Sequence, residues 1–349
     1  MPVNFYTLTF KKKILISFTL ILASLIILDI GLYFIANMKS TKTTFINDKF
    51  SKISHFKLNS PKNKDIIFIG SSRTFYHIST NTFRKNNINI YNFGISGAGF
   101  EDYPALMPHL KTANPKEIVI SLSVNSLYNK LNVSKFPTLE EIKYYYDIDK
   151  IKFLESLKQW VINRHLFLQY SEPIFYKVKS VYEKFEVKKE SNQLINVDKK
   201  IQNSNKLFID KSINYSELSG CKVFDMKQNS DTQITLKCIN GDGILIGSDI
   251  KNKDIELKEL KEFNPQSMKY LQKLISNIDT DKVKVSIILE PILHNNYSYS
   301  LDEIKRKFTN IEIIDLTNFN IQDTFWSDNG HLNYKGREQY SQYLSNILK

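Results

Sequence analysis

Five short apolar runs punctuate an otherwise mixed chain. They are Asp65 to Gly70, Ile88 to Phe93, Glu117 to Leu122, Lys284 to Leu289 and Ile311 to Asp315. Each is rich in Ile, Val or Phe and ends near Gly, Asn, Asp or Pro, as buried parallel strands do. Helical patterns lie between and after them, including Asp102 to Thr112 and Asn333 to Leu348. Strands alternating with helices predict a parallel sheet covered on both faces. Ligand sites in such sheets lie at the carboxyl ends of the strands.

The stretch between the third and fourth strands, about 127–282, is too long for a simple crossover and reads as an insertion. Leu139 to about Phe185 is rich in Tyr, Phe, Leu and Lys and predicts helix. Residues 186–210 are polar. Cys221 to Phe224, Thr232 to Cys238 and Gly241 to Gly247 read as short strands joined by turns. The insertion is expected to build one wall of the site.

The first forty residues have a pattern of their own. Lys11, Lys12 and Lys13 precede an apolar run from Ile14 to Ala36. A helix of about 20 apolar residues spans a hydrocarbon core; a cleaved signal peptide has a shorter apolar region and small residues at the cut. The expected organisation is a cytoplasmic segment 1–13, a transmembrane helix 14–36, a polar linker 37–62 and an outward-facing domain 63–349, because basic residues stay inside. Asp29 interrupts the run. It either contacts another membrane helix, or it protonates or reaches interfacial water.

Composition narrows the partners. The 349 residues are 42% hydrophobic and 24% charged, as in a globular chain. The net charge of +12 favours anionic partners such as lipid head groups or acidic polymers, although lysines scattered among Asn and Ile also make an ordinary solvated surface. The chain has no zinc finger, RNP signature or heptad-linked basic region, so nucleic acid is not expected. Cys221 and Cys238, the two cysteines, fall in one local segment on the predicted outer side. An even count in one segment predicts a disulfide that closes the β-rich part, against the alternative of two free thiols.

Four motifs follow predicted strands. Gly70-Ser71-Ser72-Arg73 follows the first strand, where a serine hydroxyl stands over the sheet edge beside free backbone N–H groups. Asn92 to Gly99 follows the second and is rich in Gly, which allows close backbone approach. Ser123-Val124-Asn125 follows the third; the Asn125 amide can donate to an oxyanion or cap the next helix. Asp328-Asn329-Gly330-His331 follows the fifth, and a carboxylate three residues before a histidine can fix the imidazole tautomer. Each motif alone is also ordinary turn chemistry. Their order and common placement carry more weight. His294, after the fourth strand, is a rival base. No pair of histidines has metal spacing with Cys or Glu, and no Walker or dinucleotide fingerprint occurs.

The order Ser, Gly, Asn, His, each after a strand, resembles the SGNH (GDSL-like) hydrolase superfamily over residues 65–126 and 283–349. The resemblance implies a flavodoxin-like α/β/α sandwich with a five-stranded parallel sheet. It also implies Ser72 as nucleophile, His331 as base, Asp328 as its orienting partner, and Ser72, Gly97 and Asn125 as the oxyanion hole, without cofactor or metal. Ser71 stands where the family usually has Asp, and Ser123 where it usually has Gly. Gly-Ser-Ser after one membrane helix is similar to the membrane-anchored envelope acyl-transfer proteins, which include the D-alanyl-transfer protein of teichoic acid modification. The expected function is a serine esterase or O-acyltransferase acting on acyl groups, acetyl the simplest, of an envelope polysaccharide or polymer. A multi-pass membrane acyltransferase is an expected partner. The alternative is a silent SGNH-fold binding or accessory subunit for such an enzyme.

Overall fold

A computed structural model describes residues 10–38, 49–59, 63–164, 220–250 and 256–348. They fall into two compact units: one contains residues 10–38 and 157–164, the other contains the remainder. The smaller unit holds helix α1 (Phe10–Met38). Its side chains are described continuously over residues 12–28. Among the described residues, no helix is long and apolar enough to cross a membrane. The span expected at 14–36 is therefore not supported by the fold, although the run is helical.

The larger unit opens with α2 (Lys49–Asn59), then β1 (Ile66–Gly70), α3 (Ser72–His77), α4 (Thr80–Lys85) and β2 (Ile90–Gly94). A 3-10 turn at Phe100–Leu106 leads into α5 (Met107–Ala113), and β3 (Glu117–Leu122) follows. Pro104 and Pro108 split the single helix expected over 102–112, because proline lacks the N–H that a continuous ladder needs. The insertion supplies α6 (Leu139–Ile148), α7 (Lys150–Arg164), β4 (Val223–Ser230), β5 (Gln233–Cys238) and β6 (Gly243–Gly247). The chain closes with β7 (Lys258–Glu259), α8 (Pro265–Ser276), β8 (Lys284–Leu289), β9 (Tyr297–Ser298), α9 (Leu301–Lys307), β10 (Glu312–Asp315) and α10 (Tyr334–Ile347).

The five expected strands form one wholly parallel sheet in the order β10-β8-β3-β1-β2. Counting only these five, the order is 2-1-3-4-5, a doubly wound topology whose direction reverses between β1 and β3. Alternate side chains explain the layers. Ile67, Ile69, Ile118 and Ile120 pack with Leu110 of α5, Leu271 and Leu274 of α8 and Ile304 of α9. Ile66, Phe68, Val119 and Ile288 pack on the opposite face with Phe83 of α4 and Tyr340 and Leu344 of α10. β1 is buried on both faces, which is why its sequence reads as an unbroken apolar run.

Two domain boundaries need correction. The polar linker expected at 37–62 contains α2, which belongs to the larger unit. Its Phe56 stacks on Phe93, and its Lys49 ammonium bonds Asp102, Ser134 and Glu141 in a buried cluster. Charged residues that read as solvated are instead buried and paired. Burial pushes the Glu141 carboxyl up to about 7 even against the pull of Lys49. The domain expected at 63–349 also loses residues 157–164, among those described, to the smaller unit. The helical expectation for 139–185 holds through Arg164; its remainder and the polar excursion at 186–210 lie outside the described residues.

The expected β-rich part is an antiparallel sheet in the order β4-β5-β6. A disulfide joins Cys221 to Cys238, with Cα atoms 5.8 Å apart. Arg337 of α10 and Asp242 form a buried ion pair at 2.6 Å that ties this sheet to the main layers.

Candidate active site

The nucleophile candidate is placed by close packing at two glycines. A Cβ at Gly94 would lie 2.3 Å from the Phe75 nitrogen, so the end of β2 accepts the backbone of α3 only because it has no side chain. A Cβ at Gly70 would overlap the Thr74 side chain. Ser71 caps α3 by accepting from the Arg73 N–H at 3.3 Å. Ser72 is thus the first residue of a helix that starts directly after β1.

The histidine is placed by a pinned turn. Trp326 and Leu332, both buried, form an antiparallel bridge across residues 327–331. Inside it, the Ser327 N–H donates to the His331 carbonyl at 2.7 Å. The Gly330 N–H donates to Asp328 Oδ1 at 2.8 Å, which fixes the carboxylate. From the other side, buried His77 accepts the Leu332 N–H at its Nε2 (3.1 Å). Burial, and then the nearby His331 and Arg73, hold His77 well below the usual imidazole range. It stays neutral and remains an acceptor.

These two constructions meet. The Ser72 hydroxyl lies 2.8 Å from His331 Nε2, and His331 Nδ1 lies 3.0 Å from each oxygen of Asp328. With Nδ1–H donating to the carboxylate, Nε2 is left to accept from the serine, the arrangement a serine nucleophile needs. Burial raises the Asp328 carboxyl, but the His331 hydrogen bond and charge, the Gly330 N–H and the Gln233 amide together bring it below the ordinary value. Asp328 therefore stays ionised. The pair is one-quarter to one-third exposed, open enough for a substrate.

The other expected site residues are spread along the same sheet edge. Gly97 sits in the turn after β2 with φ +77°, a conformation that suits glycine. Asn125 follows β3 in a 3-10 turn, and its amide donates to the Tyr297 hydroxyl at 3.3 Å. Neither bonds the Ser72–His331–Asp328 group. Among the described residues, the backbone N–H groups of Ser72 and Gly97 donate to no protein acceptor. His294 does not approach Ser72; its Nε2 pairs with Asp323 at 2.9 Å on the surface. No cluster of three or more His, Cys, Asp or Glu among the described residues can hold a metal ion.

Three neighbours of the triad were not legible in the sequence. His77 sat among scattered histidines, and its fixed distance from His331 appears only after folding. Glu290, at the end of β8, is buried and accepts from Thr74 and Ser121 at 3.0 Å each. Burial pushes its carboxyl up, against the charge of Arg73. Its only sequence signal was its place at a strand end. Gln233 of the inserted sheet reaches the Asp328 turn across 95 residues.

No protein-family model matches this sequence, and no curated protein matches it. The site is therefore read from its own geometry.

Proposed function

We propose that the chain is a serine acyl-transfer enzyme of the SGNH type, acting on O-acyl groups of a cell-envelope polymer. The observation that carries the proposal is the continuous hydrogen-bonded path from Ser72 through His331 to both oxygens of Asp328. Its support is the sheet: Ser72, Gly97 and Asn125 follow β1, β2 and β3, at and beside the point where strand order reverses.

Ser72 Oγ attacks the acyl carbonyl while its proton passes to His331 Nε2. The imidazolium formed is stabilised by ionised Asp328. The carbonyl oxygen becomes an oxyanion, for which the N–H groups of Ser72 and Gly97 and the Asn125 amide are the candidate donors. Collapse breaks the bond to the leaving oxygen or sulfur, which takes the proton from His331. An acceptor hydroxyl then gives its proton to His331 and attacks the acyl-serine, and Ser72 is regenerated. Water as acceptor makes an esterase; a sugar or polyol hydroxyl makes a transferase.

Transfer is favoured over hydrolysis here. Ser71 replaces the usual Asp, and the long insertion offers a wall against water, which suppresses loss of reactive intermediates. Membrane attachment through residues 14–36, with the N-terminus cytoplasmic and the catalytic unit outside, is part of the proposal. Leu15, Phe18, Leu20, Ile21 and Ile27 of α1 are exposed, and apolar surface on this scale calls for a cover. Asp29 offers a contact to a multi-pass acyltransferase. The test supplies the full chain with an activated acetyl ester, with and without an envelope oligosaccharide. Acetate should be released slowly alone, and the sugar should become acetylated when present. Fast acetate release that the sugar never diverts leaves an esterase. No turnover in either condition, unchanged by Ser72→Ala, leaves a silent binding subunit.

A further inference from the structure

The triad turn is held by the main layers on one side and by the inserted sheet on the other. Gln233 stands at the first position of β5, 8% exposed. Its Nε2 donates to the Ser327 hydroxyl at 2.9 Å and the Ser327 carbonyl at 3.2 Å, and lies 3.4 Å from Asp328 Oδ2. Its Oε1 accepts from the Asn229 amide at 2.9 Å. That bond fixes which end of the Gln233 amide faces the turn, since the opposite flip would set Oε1 against three oxygens. Two further bonds dock the same edge: Ser327 Oγ donates to the Gly247 carbonyl at 3.0 Å, and the Asp249 N–H to the Ser327 carbonyl at 2.6 Å.

We infer that Gln233 is a positioning residue for the triad, and that the cysteine-bridged sheet is its mount. Gln233 holds this role only if Ser72 and His331 carry out the acyl transfer proposed above. Asp328 accepts from His331 and from the Gly330 N–H within its own turn, and Gln233 adds a contact to the carboxylate from outside it. The Gly330 N–H holds Oδ1 and the Gln233 amide approaches Oδ2. Together they leave both oxygens equidistant from His331 Nδ1. The mount is stiff: the disulfide ties the segment just before β4 to the end of β5, and Asp242, just before β6, is bonded by Thr80 of α4 and Arg337 of α10. A functional group on a braced sheet keeps its partner within tolerance better than one on a free loop. The insertion thus acts on the chemistry itself.

The experiment measures the rate at which a fluorophosphonate labels Ser72 in the full chain, as a function of pH. Labelling needs neutral His331, so the acid limb reports the imidazole in place. Gln233→Glu sets a second carboxylate beside Asp328, favours the imidazolium and should move the acid limb up by roughly 0.5–1 pH unit. Gln233→Ala removes a donor to a charged group and should lower the plateau rate about tenfold. Ile234→Val is the control: it loosens the apolar face of the same strand without touching Asp328, and should leave limb and plateau in place. Unmoved limb and plateau in both Gln233 variants would overturn the inference. So would the same change in Ile234→Val. If Gln233→Glu does not fold, the plateau of Gln233→Ala against the control decides. A parent chain that never labels at Ser72 fails at an earlier step: it overturns the acyl-transfer reading, and the positioning role with it.

Discussion

Two histidine–carboxylate pairs lie in the loops after β8 and β10, and only one of them meets a serine. His331 and Asp328 are 3.0 Å apart; His294 and Asp323 are 2.9 Å apart. Distance does not separate them. Surroundings do. The His294 pair is more than half exposed, with His294 at φ +48° in a surface loop and water on most sides. The His331 pair is only one-quarter to one-third exposed. It has a serine at the free nitrogen, a backbone N–H and an amide on the carboxylate, and a buried histidine under the turn. A surface pair in water is worth little. The same pair in a pinned, partly dry turn holds one tautomer.

Removing the reacting groups should have the largest effect. Ser72→Ala or His331→Ala should lower esterase or transfer rates by about 10³-fold or more. His294→Ala should stay within about twofold, as expected for a solvated pair. Measured initial rates on one activated ester decide; equal losses from His294 and His331 would erase the distinction. Next in size is the carboxylate. Asp328→Asn leaves the packing but frees the tautomer, and a loss of roughly 10²–10⁴-fold in kcat is expected. Asp323→Asn should change nothing.

Smaller effects sharpen the contrast through stability. Changing Cys221 and Cys238 to Ser opens a bridge between residues 17 positions apart. The cost should be about 3 kcal/mol, read by urea unfolding. Activity should fall with it, because β5 carries Gln233. The smallest effect concerns Glu290, which is bonded by Thr74 of α3 and Ser121 of β3. Its carboxyl is raised by burial, so the folded chain keeps this proton to higher pH than the unfolded chain does. Stability from this group is therefore present in acid and lost as pH rises through the folded value. Glu290→Gln should show no such loss. Its stability relative to the parent should grow from acid toward neutral pH in denaturation series, and a gap that shrinks would contradict the assigned environment.

What could be read from the sequence was local. The five strands were legible because strands buried on both faces leave continuous apolar runs, and each fell within two residues of its place. Asp328-x-x-His331 was legible because one turn contains both residues. Ser72 was legible because it follows a strand directly. α2 was missed for a physical reason: Lys49, Lys52 and His55 read as solvent-facing, yet all three are buried with partners that only the fold supplies. Gln233 was missed because nothing in an alternating strand says which polar residue faces solvent and which faces another loop. The rival His294 could not be dismissed from the chain alone, since exposure decides its case.

In the proposed reaction Ser72, activated by His331 and Asp328, takes an acyl group. The most direct measurement is the intact mass of the chain quenched during reaction with an activated acetyl ester, followed by peptide mapping. One added acetyl group on Ser72 is expected. It should be absent in Ser72→Ala, strongly reduced in His331→Ala, unchanged in His294→Ala, and discharged when a sugar hydroxyl is supplied. An acetyl group on any other residue that persists in Ser72→Ala, or no acyl-serine under any condition, would contradict the proposed reaction.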